Sequence, residues 1–173
     1  MKKLIFLLVM CVFSMSNFAQ TSIVNLSNAE IFLKKSGRPI QVDKVDVGDL
    51  TNSNIWVEYY SDLNTNTKIS VFVFNSHQPS FTLYIDSDDI IGLLKCVKLI
   101  SNKPNPTKDF VIKYHTRAGH LFEFNNWRDG VSANVFKNAG GWNNIPSADF
   151  NSFSGFLEKA KSILIFPEVK KTK

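Results

Sequence analysis

Cysteine and arginine are scarce in this chain of 173 residues, and each scarcity excludes a class of protein. Cys11 lies in an N-terminal apolar run that we interpret below as part of a cleaved signal peptide. Cys96 is then the one cysteine of the cleaved chain, which excludes an intramolecular disulfide. No neighbour in the sequence would lower the pKa of Cys96, which favours a structural thiol over a nucleophile. The three arginines form no basic stripe, and we therefore expect no nucleic-acid partner.

The sequence also lacks the motifs of common catalytic and cofactor sites. It contains no Gly-x-Ser-x-Gly nucleophile elbow and no glycine fingerprint of a nucleotide-binding parallel sheet. No pairing of cysteine with histidine stands out either. We therefore expect no metal and no cofactor, and a non-enzymatic protein is the favoured interpretation.

The first 19 residues have the three parts of a cleavable signal peptide. Lys2 and Lys3 precede the apolar run of residues 4–13, and a short polar segment then ends at Ala19. The run is about half as long as a membrane-spanning helix requires. We predict cleavage between Ala19 and Gln20, export to the periplasm or the extracellular space, and no transmembrane segment in the cleaved protein.

The basic character of the chain comes from its two ends. Removal of the signal peptide takes away two lysines and no acids, which lowers the net charge from +5 to +3. Lys170, Lys171 and Lys173 account for the remaining charge. We therefore expect a signal peptide over residues 1–19, one domain over residues 20–167 and a solvated basic tail over residues 168–173. Because Met10 rather than a small residue precedes Cys11, a lipoprotein is not expected.

Short runs rich in β-branched and aromatic residues predict antiparallel strands separated by tight turns. The clearest runs are residues 55–60, 69–74, 81–85, 109–116, 120–125 and 131–136. Residues 42–47 fit either a strand or an extended connection. Ser27 and Glu30 have the spacing of a capping box before a short helix.

Two longer amphipathic helices are predicted from apolar stripes at helical spacing. The first follows Asp86, and its stripe comprises Ile90, Leu93, Leu94, Val97 and Ile100. The second follows Ser147 or Asp149, and its stripe comprises Phe150, Phe153, Leu157, Ala160 and Leu164. The pattern predicts an α+β fold, with a single antiparallel sheet of about six or seven strands and two amphipathic helices packed on one face.

The hairpin around Arg117-Ala118-Gly119 has a predictable register. A three-residue loop that ends in a left-handed glycine is a common hairpin connection. It would pair Tyr114 with Phe122 and Ile112 with Phe124 on an apolar face, which a buried sheet face requires. The opposite face would then pair His115 with Leu121 and Lys113 with Glu123.

Two loops carry a tryptophan among asparagine and glycine, and they are the best candidate binding sites. If strands 120–125 and 131–136 pair, we expect the two loops to lie towards the same end of the sheet. Trp127 and Arg128 belong to one loop, and Trp142 and Asn143 to the other. Exposed aromatic rings beside amides suit a glycan or a peptide, although a tryptophan packed beneath its own loop fits the same pattern.

Two other groups of polar residues have competing interpretations. His115, His120 and Glu123 could serve a small hydrolase or a metal-dependent enzyme, but the hairpin register places the two histidines on opposite faces. The acidic run at residues 86–89 could bind calcium. Because it lacks the glycine and the distant glutamate of an EF-hand loop, a helix cap with an acidic first turn is favoured.

Two segments give the chain a resemblance to a known group of proteins. They are residues 84–90, Tyr-Ile-Asp-Ser-Asp-Asp-Ile, which lead into a helix, and residues 114–119, Tyr-His-Thr-Arg-Ala-Gly, in the hairpin. Together with the signal sequence ending in Phe18-Ala19-Gln20, they resemble uncharacterised small exported proteins of Bacteroidetes-type bacteria. The resemblance covers roughly residues 80–165 and implies export from such a cell, but no activity.

The sequence thus favours an exported, non-enzymatic protein that binds a ligand or associates with the cell envelope. A glycan, a peptide or another envelope protein would be its partner, through Trp127, Arg128, Trp142 and Asn143. The alternative is a small hydrolase or metal-dependent enzyme that uses His115 or His120 with Glu123. An envelope protein without a small-molecule pocket is the third hypothesis.

Overall fold

The computed structural model describes residues 25–34, 37–102, 110–127, 130–138 and 140–165. The predicted signal peptide, the basic tail and Arg128 lie outside the described residues.

Within these ranges the chain forms three helices and eight strands. The helices are α1 (Asn28–Lys34), α2 (Ser87–Ser101) and α3 (Ser147–Ile163). The strands are β1 (Ile40–Leu50), β2 (Ser53–Asp62), β3 (Lys68–His77), β4 (Ser80–Asp86), β5 (Phe110–His115), β6 (Leu121–Trp127), β7 (Gly130–Phe136) and β8 (Trp142–Ile145). Each half of the chain is therefore a run of four strands followed by a long helix.

The strands form two sheets, and the prediction of a single sheet of six or seven strands is wrong. The first sheet has the order β1-β2-β3-β4 and the second the order β5-β6-β7-β8, with every neighbouring pair antiparallel. The runs of β-branched residues predicted most of the strands, but they carry no information about which edges meet. Because β4 leads straight into α2, the chain leaves the first sheet there and begins a new one at β5. The α+β class is correct.

The two long helices pack against each other and against the sheets. α2 contacts β3 to β6, and α3 contacts β1, β2, β7 and β8. Both predicted stripes are buried, so that one apolar core joins the helices to both sheets. Phe153 of α3 illustrates the arrangement, since it is fully buried and its ring stacks on Phe122 of β6 at a centroid distance of 6.4 Å. No described helix is long and apolar enough to cross a membrane.

The short helix α1 packs on the other side of the first sheet. Ala29 and Phe32 are buried there against Tyr60, Val71 and Val73. The capping box is confirmed, because the Glu30 N–H donates to Ser27 Oγ (3.2 Å) and the Ser27 N–H donates to Glu30 Oε2 (2.8 Å). α1 and the two long helices thus lie on opposite faces of the first sheet.

The register of the β5–β6 hairpin is confirmed. Tyr114 lies opposite Phe122, and Lys113 lies opposite Glu123. Gly119 has a φ of +79°, as the three-residue loop requires. The Lys113 Nζ and Glu123 Oε1 atoms form an ion pair of 2.6 Å on the solvent face.

Candidate functional site

A groove of about 360 Å³ lies where β8 meets two turns of the first sheet. Asn52 comes from the β1–β2 turn, and Gln78 and Pro79 come from the β3–β4 turn. The other wall consists of Trp142, Asn143, Asn144 and Pro146. The groove thus joins turns of the first half of the chain to the last strand of the second half.

Trp142 is the exposed aromatic residue of this groove. It begins β8 and keeps 54% of its surface accessible. One side of its ring is supported by Phe136, with a centroid distance of 6.4 Å and an angle of 27° between the rings. A supported indole that remains accessible to solvent is a suitable platform for stacking, because little side-chain entropy is left to lose on binding.

A glycine turn places Trp142 at this position. Gly140 and Gly141 have φ values of +95° and +96°, a region that residues with a side chain rarely adopt. Two backbone hydrogen bonds between Lys137 and these glycines close the turn, Lys137 N–H to the Gly141 carbonyl (2.9 Å) and Gly140 N–H to the Lys137 carbonyl (3.1 Å). A Cβ at Gly141 would approach the Phe81 ring to 3.1 Å, so this glycine also permits close packing against β4.

Asn143 is buried and holds the groove together. Its Nδ2 donates to Ser53 Oγ (2.8 Å) on β2 and to Ser76 Oγ (2.9 Å) on β3. The Ser76 hydroxyl in turn donates to the Pro79 carbonyl (2.8 Å) in the wall of the groove. Asn143 lines the groove, and both hydrogen bonds that its Nδ2 donates go to the first sheet.

The remaining lining of the groove is uncharged and combines amide side chains with the prolines Pro79 and Pro146. Asn52, Gln78 and Asn144 supply amide groups, which can each donate and accept hydrogen bonds. The seven described residues that line the groove include no carboxylate, ammonium, guanidinium or imidazole group. The site therefore suits an uncharged ligand with an apolar surface and hydroxyl or amide groups at its edge.

Trp127 does not belong to this groove. It ends β6 opposite Gly130, whereas Trp142 pairs with Phe136 at the other end of β7. Six residues of strand separate these positions, which is about 20 Å along β7. The expectation that the two tryptophan loops lie at the same end is therefore wrong, since β7 runs the length of the sheet between them.

The two histidines of the enzymatic alternative do not converge. His115 is exposed at the end of β5, whereas His120 is buried and its Nδ1 accepts from the Asn138 N–H (3.3 Å). Burial lowers the pKa of His120, which favours the neutral imidazole. Glu123 is held by Lys113. Among the described residues, no three His, Cys, Asp or Glu side chains are placed to hold a metal ion.

The acidic run at the start of α2 has partners within the fold. Asp86 occupies the cap position but makes no side-chain hydrogen bond to its own helix. Its carboxylate accepts instead from the Asn28 N–H of α1. Asp89 accepts from the Tyr114 hydroxyl (2.9 Å), and Asp88 pairs with Arg117. These contacts tie α1 and the β5–β6 hairpin to α2.

The sequence did not indicate the first wall of the groove. Asn52, Gln78 and Pro79 occur in ordinary turn segments, and nothing local connects them to Trp142. No protein-family model and no curated protein matches the chain.

Proposed function

We propose that this protein is an exported, non-catalytic binding protein whose ligand is an uncharged saccharide held in the Trp142 groove. The observation that carries the proposal is an indole that is 54% exposed, supported by Phe136, and bordered by the amides of Asn52, Gln78 and Asn144. A sugar ring offers an apolar face for stacking and hydroxyls that both donate and accept. Amide side chains match those hydroxyls without the desolvation cost of a charge.

Neutral polysaccharides in native gels provide the test of binding. The mature protein, residues 20–173, is run through gels that contain hydroxyethyl cellulose, amylose, xylan, galactomannan or glycol chitin. Binding retards migration in at least one of these gels relative to a gel without polysaccharide. If none of them retards the protein, the proposal fails.

Two variants locate the binding site. Trp142→Ala is expected to raise the polysaccharide concentration needed for half-maximal retardation by about 30-fold or more, the effect of losing a central aromatic contact. Leu99→Ala is the matched control, because Leu99 is 59% exposed on α2, away from the groove. Retardation that survives in Trp142→Ala would exclude the groove as the site. Equal unfolding midpoints of the two variants would show that the difference is not a loss of folding.

Export is a separate part of the proposal and has its own test. When the complete chain is expressed in a Gram-negative host, we expect the protein in the periplasm or the medium, with Gln20 as its first residue. Intact-mass measurement distinguishes this product from the uncleaved chain. A full-length protein that stays in the cytoplasm would contradict export.

A further inference from the structure

The outer faces of the two sheets differ. The first sheet is covered in part by α1, whose Phe32 is buried against it. No described helix lies over the corresponding face of the second sheet. Of the eight side chains in the two outward rows that begin at β8, four are exposed and four are half-buried. We call this surface the open face.

Strand register arranges the open face in rows, and two of these rows run from β8 to β5. The first row runs across the strands from β8 to β5 and consists of Trp142, Phe136, Leu121 and His115. The second row consists of Asn144, Asn134, Glu123 and Lys113. A row that is apolar except for His115 therefore lies beside a polar one. Each row spans three strand spacings, about 14 Å.

The polar row is neutral and already ordered. Asn144 Nδ2 donates to Asn134 Oδ1 (2.8 Å), and Lys113 Nζ pairs with Glu123 Oε1 (2.6 Å). The single positive and single negative charge offset each other, so a polyanion would meet Glu123 and a polycation would meet Lys113. An uncharged ligand with alternating donors and acceptors is complementary to this row.

The groove and the open face are continuous. Trp142 and Asn144 line the groove and are also the first residues of the two rows. A ligand that stacks on the accessible side of Trp142 and passes Asn144 reaches Asn134 on the next strand. A monosaccharide would occupy the groove alone, whereas a chain of sugars would also contact the open face.

We infer that the ligand is an uncharged oligosaccharide chain that is held by its end or side in the Trp142 groove and continues across the open face over Asn134 and Glu123. This inference rests on the proposed function and specifies the length of its ligand. It makes Asn134 a binding residue for the extended part of the chain and not for the sugar in the groove.

Calorimetric titration with oligosaccharides of two lengths tests the inference. The probes are the disaccharides and hexasaccharides of β-1,4-glucose, α-1,4-glucose, β-1,4-mannose, β-1,4-xylose and β-1,4-N-acetylglucosamine. For the series that binds, we expect the hexasaccharide to bind at least tenfold more tightly than the disaccharide. Equal affinities would overturn the inference and leave the proposed function standing. No binding in any series would overturn both.

Variants separate the groove from the open face. Asn134→Ala is expected to weaken hexasaccharide binding about fivefold to tenfold, the effect of losing one hydrogen bond, and to weaken disaccharide binding less, since the disaccharide meets only the Asn144 amide that Asn134 holds. Trp142→Ala is expected to weaken the binding of both the disaccharide and the hexasaccharide. Asn151→Ala, at an exposed asparagine of α3, is the matched control and changes neither. An unchanged hexasaccharide affinity in Asn134→Ala would contradict a ligand path over this residue.

An extended peptide is the competing occupant of a neutral, amphipathic sheet face. The octapeptide Ser-Val-Ser-Val-Ser-Val-Ser-Val is therefore titrated in parallel. We expect no binding of this peptide at concentrations that saturate the hexasaccharide. Tighter binding of the peptide, sensitive to Asn134→Ala, would overturn the saccharide assignment.

Discussion

The carboxylate of Asp86, at the start of α2, accepts a hydrogen bond from the backbone N–H of Asn28, at the start of α1 (2.9 Å). One side chain therefore serves the first turn of a helix that begins 58 residues earlier in the chain. Such an acceptor satisfies a donor that has no partner within its own helix. The contact holds α1 against the first sheet, but it buries an acidic group close to Asp88 and Asp89.

The first prediction concerns the pH dependence of stability. Burial raises the pKa of the Asp86 carboxyl to about 6, with Asp89 and Asp88 adding to the rise and the Asn28 N–H and Arg117 opposing it. The folded protein binds the proton of this carboxyl more tightly than the unfolded chain, whose pKa is 3.8. The resulting stabilisation is fully present below pH 3.8 and is lost as the pH rises through about 6. Asp86→Asn keeps an acceptor and removes the charge. We therefore expect it to raise the free energy of unfolding at pH 7 by about 1–2 kcal/mol.

Urea denaturation at pH 4.5 and pH 7 measures this effect. The gain of Asp86→Asn over the wild type should shrink at the lower pH, where the wild-type carboxyl is protonated. Asp86→Ala is the control, because it removes both the charge and the acceptor and leaves the Asn28 N–H unpaired. A gain that is the same at both pH values would argue against titration of Asp86 in this range.

A second prediction compares two glycines in the middle of helices. Gly92 of α2 lies under Tyr114, and a Cβ there would come within 2.3 Å of the tyrosine ring and hydroxyl. Gly92→Ala should displace the ring and break its hydrogen bond to Asp89, at a cost of about 2–4 kcal/mol. Gly155 of α3 has no atom near its Cβ position. Gly155→Ala should stabilise the protein by about 0.5–1 kcal/mol through helix propensity. Thermal or urea unfolding should show a lower stability in Gly92→Ala and a higher stability in Gly155→Ala. Changes in the same direction would contradict the close packing at Gly92.

These glycines show how far the sequence predicts the structure. The register of the β5–β6 hairpin was predictable, because its loop glycine and the alternation of apolar residues lie within one local segment. The helical stripes were predictable for the same reason. Nothing local distinguishes Gly92 from Gly155, because the reason for Gly92 is a tyrosine on another element. The groove is not predictable from the sequence for a similar reason, because half of it comes from turns that lie far from Trp142 in the chain.

The number of sheets depends on information that a strand pattern does not contain. Every predicted strand has an apolar inner face, and this holds for one curved sheet and for two sheets alike. Whether the strands form one sheet or two depends on whether β4 and β5 share hydrogen bonds, and the intervening α2 separates these two strands. The sequence of β8, Trp-Asn-Asn-Ile, predicts a loop, because it includes two asparagines and follows two glycines. Its pairing with β7 makes it a strand.

A third prediction tests the packing of α1 through two adjacent residues. Phe32 is 6% exposed and packs against Tyr60, whereas Ile31 is 47% exposed. Phe32→Ala should lower the free energy of unfolding by about 3 kcal/mol, the usual cost of a large buried truncation. Ile31→Ala should change it by less than about 0.5 kcal/mol. Equal effects in urea denaturation would mean that α1 does not cover the first sheet as described.

The last prediction concerns Asn143, whose amide joins β8 to β2 and β3 through two serine hydroxyls. Asn143→Ala leaves the buried Ser53 and Ser76 without this donor and should cost about 2–3 kcal/mol of stability. Asn144→Ala, at the adjacent and exposed position, should cost less than about 0.5 kcal/mol.

In Asn143→Ala the β8 strand is no longer tied to the β3–β4 turn, so saccharide binding should fall although Trp142 is intact. Hydrogen exchange in β8, measured alongside urea denaturation and gel retardation, should rise in this variant alone. If Asn143→Ala lost binding with no change in stability or exchange, the asparagine would be a direct ligand contact, as the sequence had predicted, and not the support of the groove.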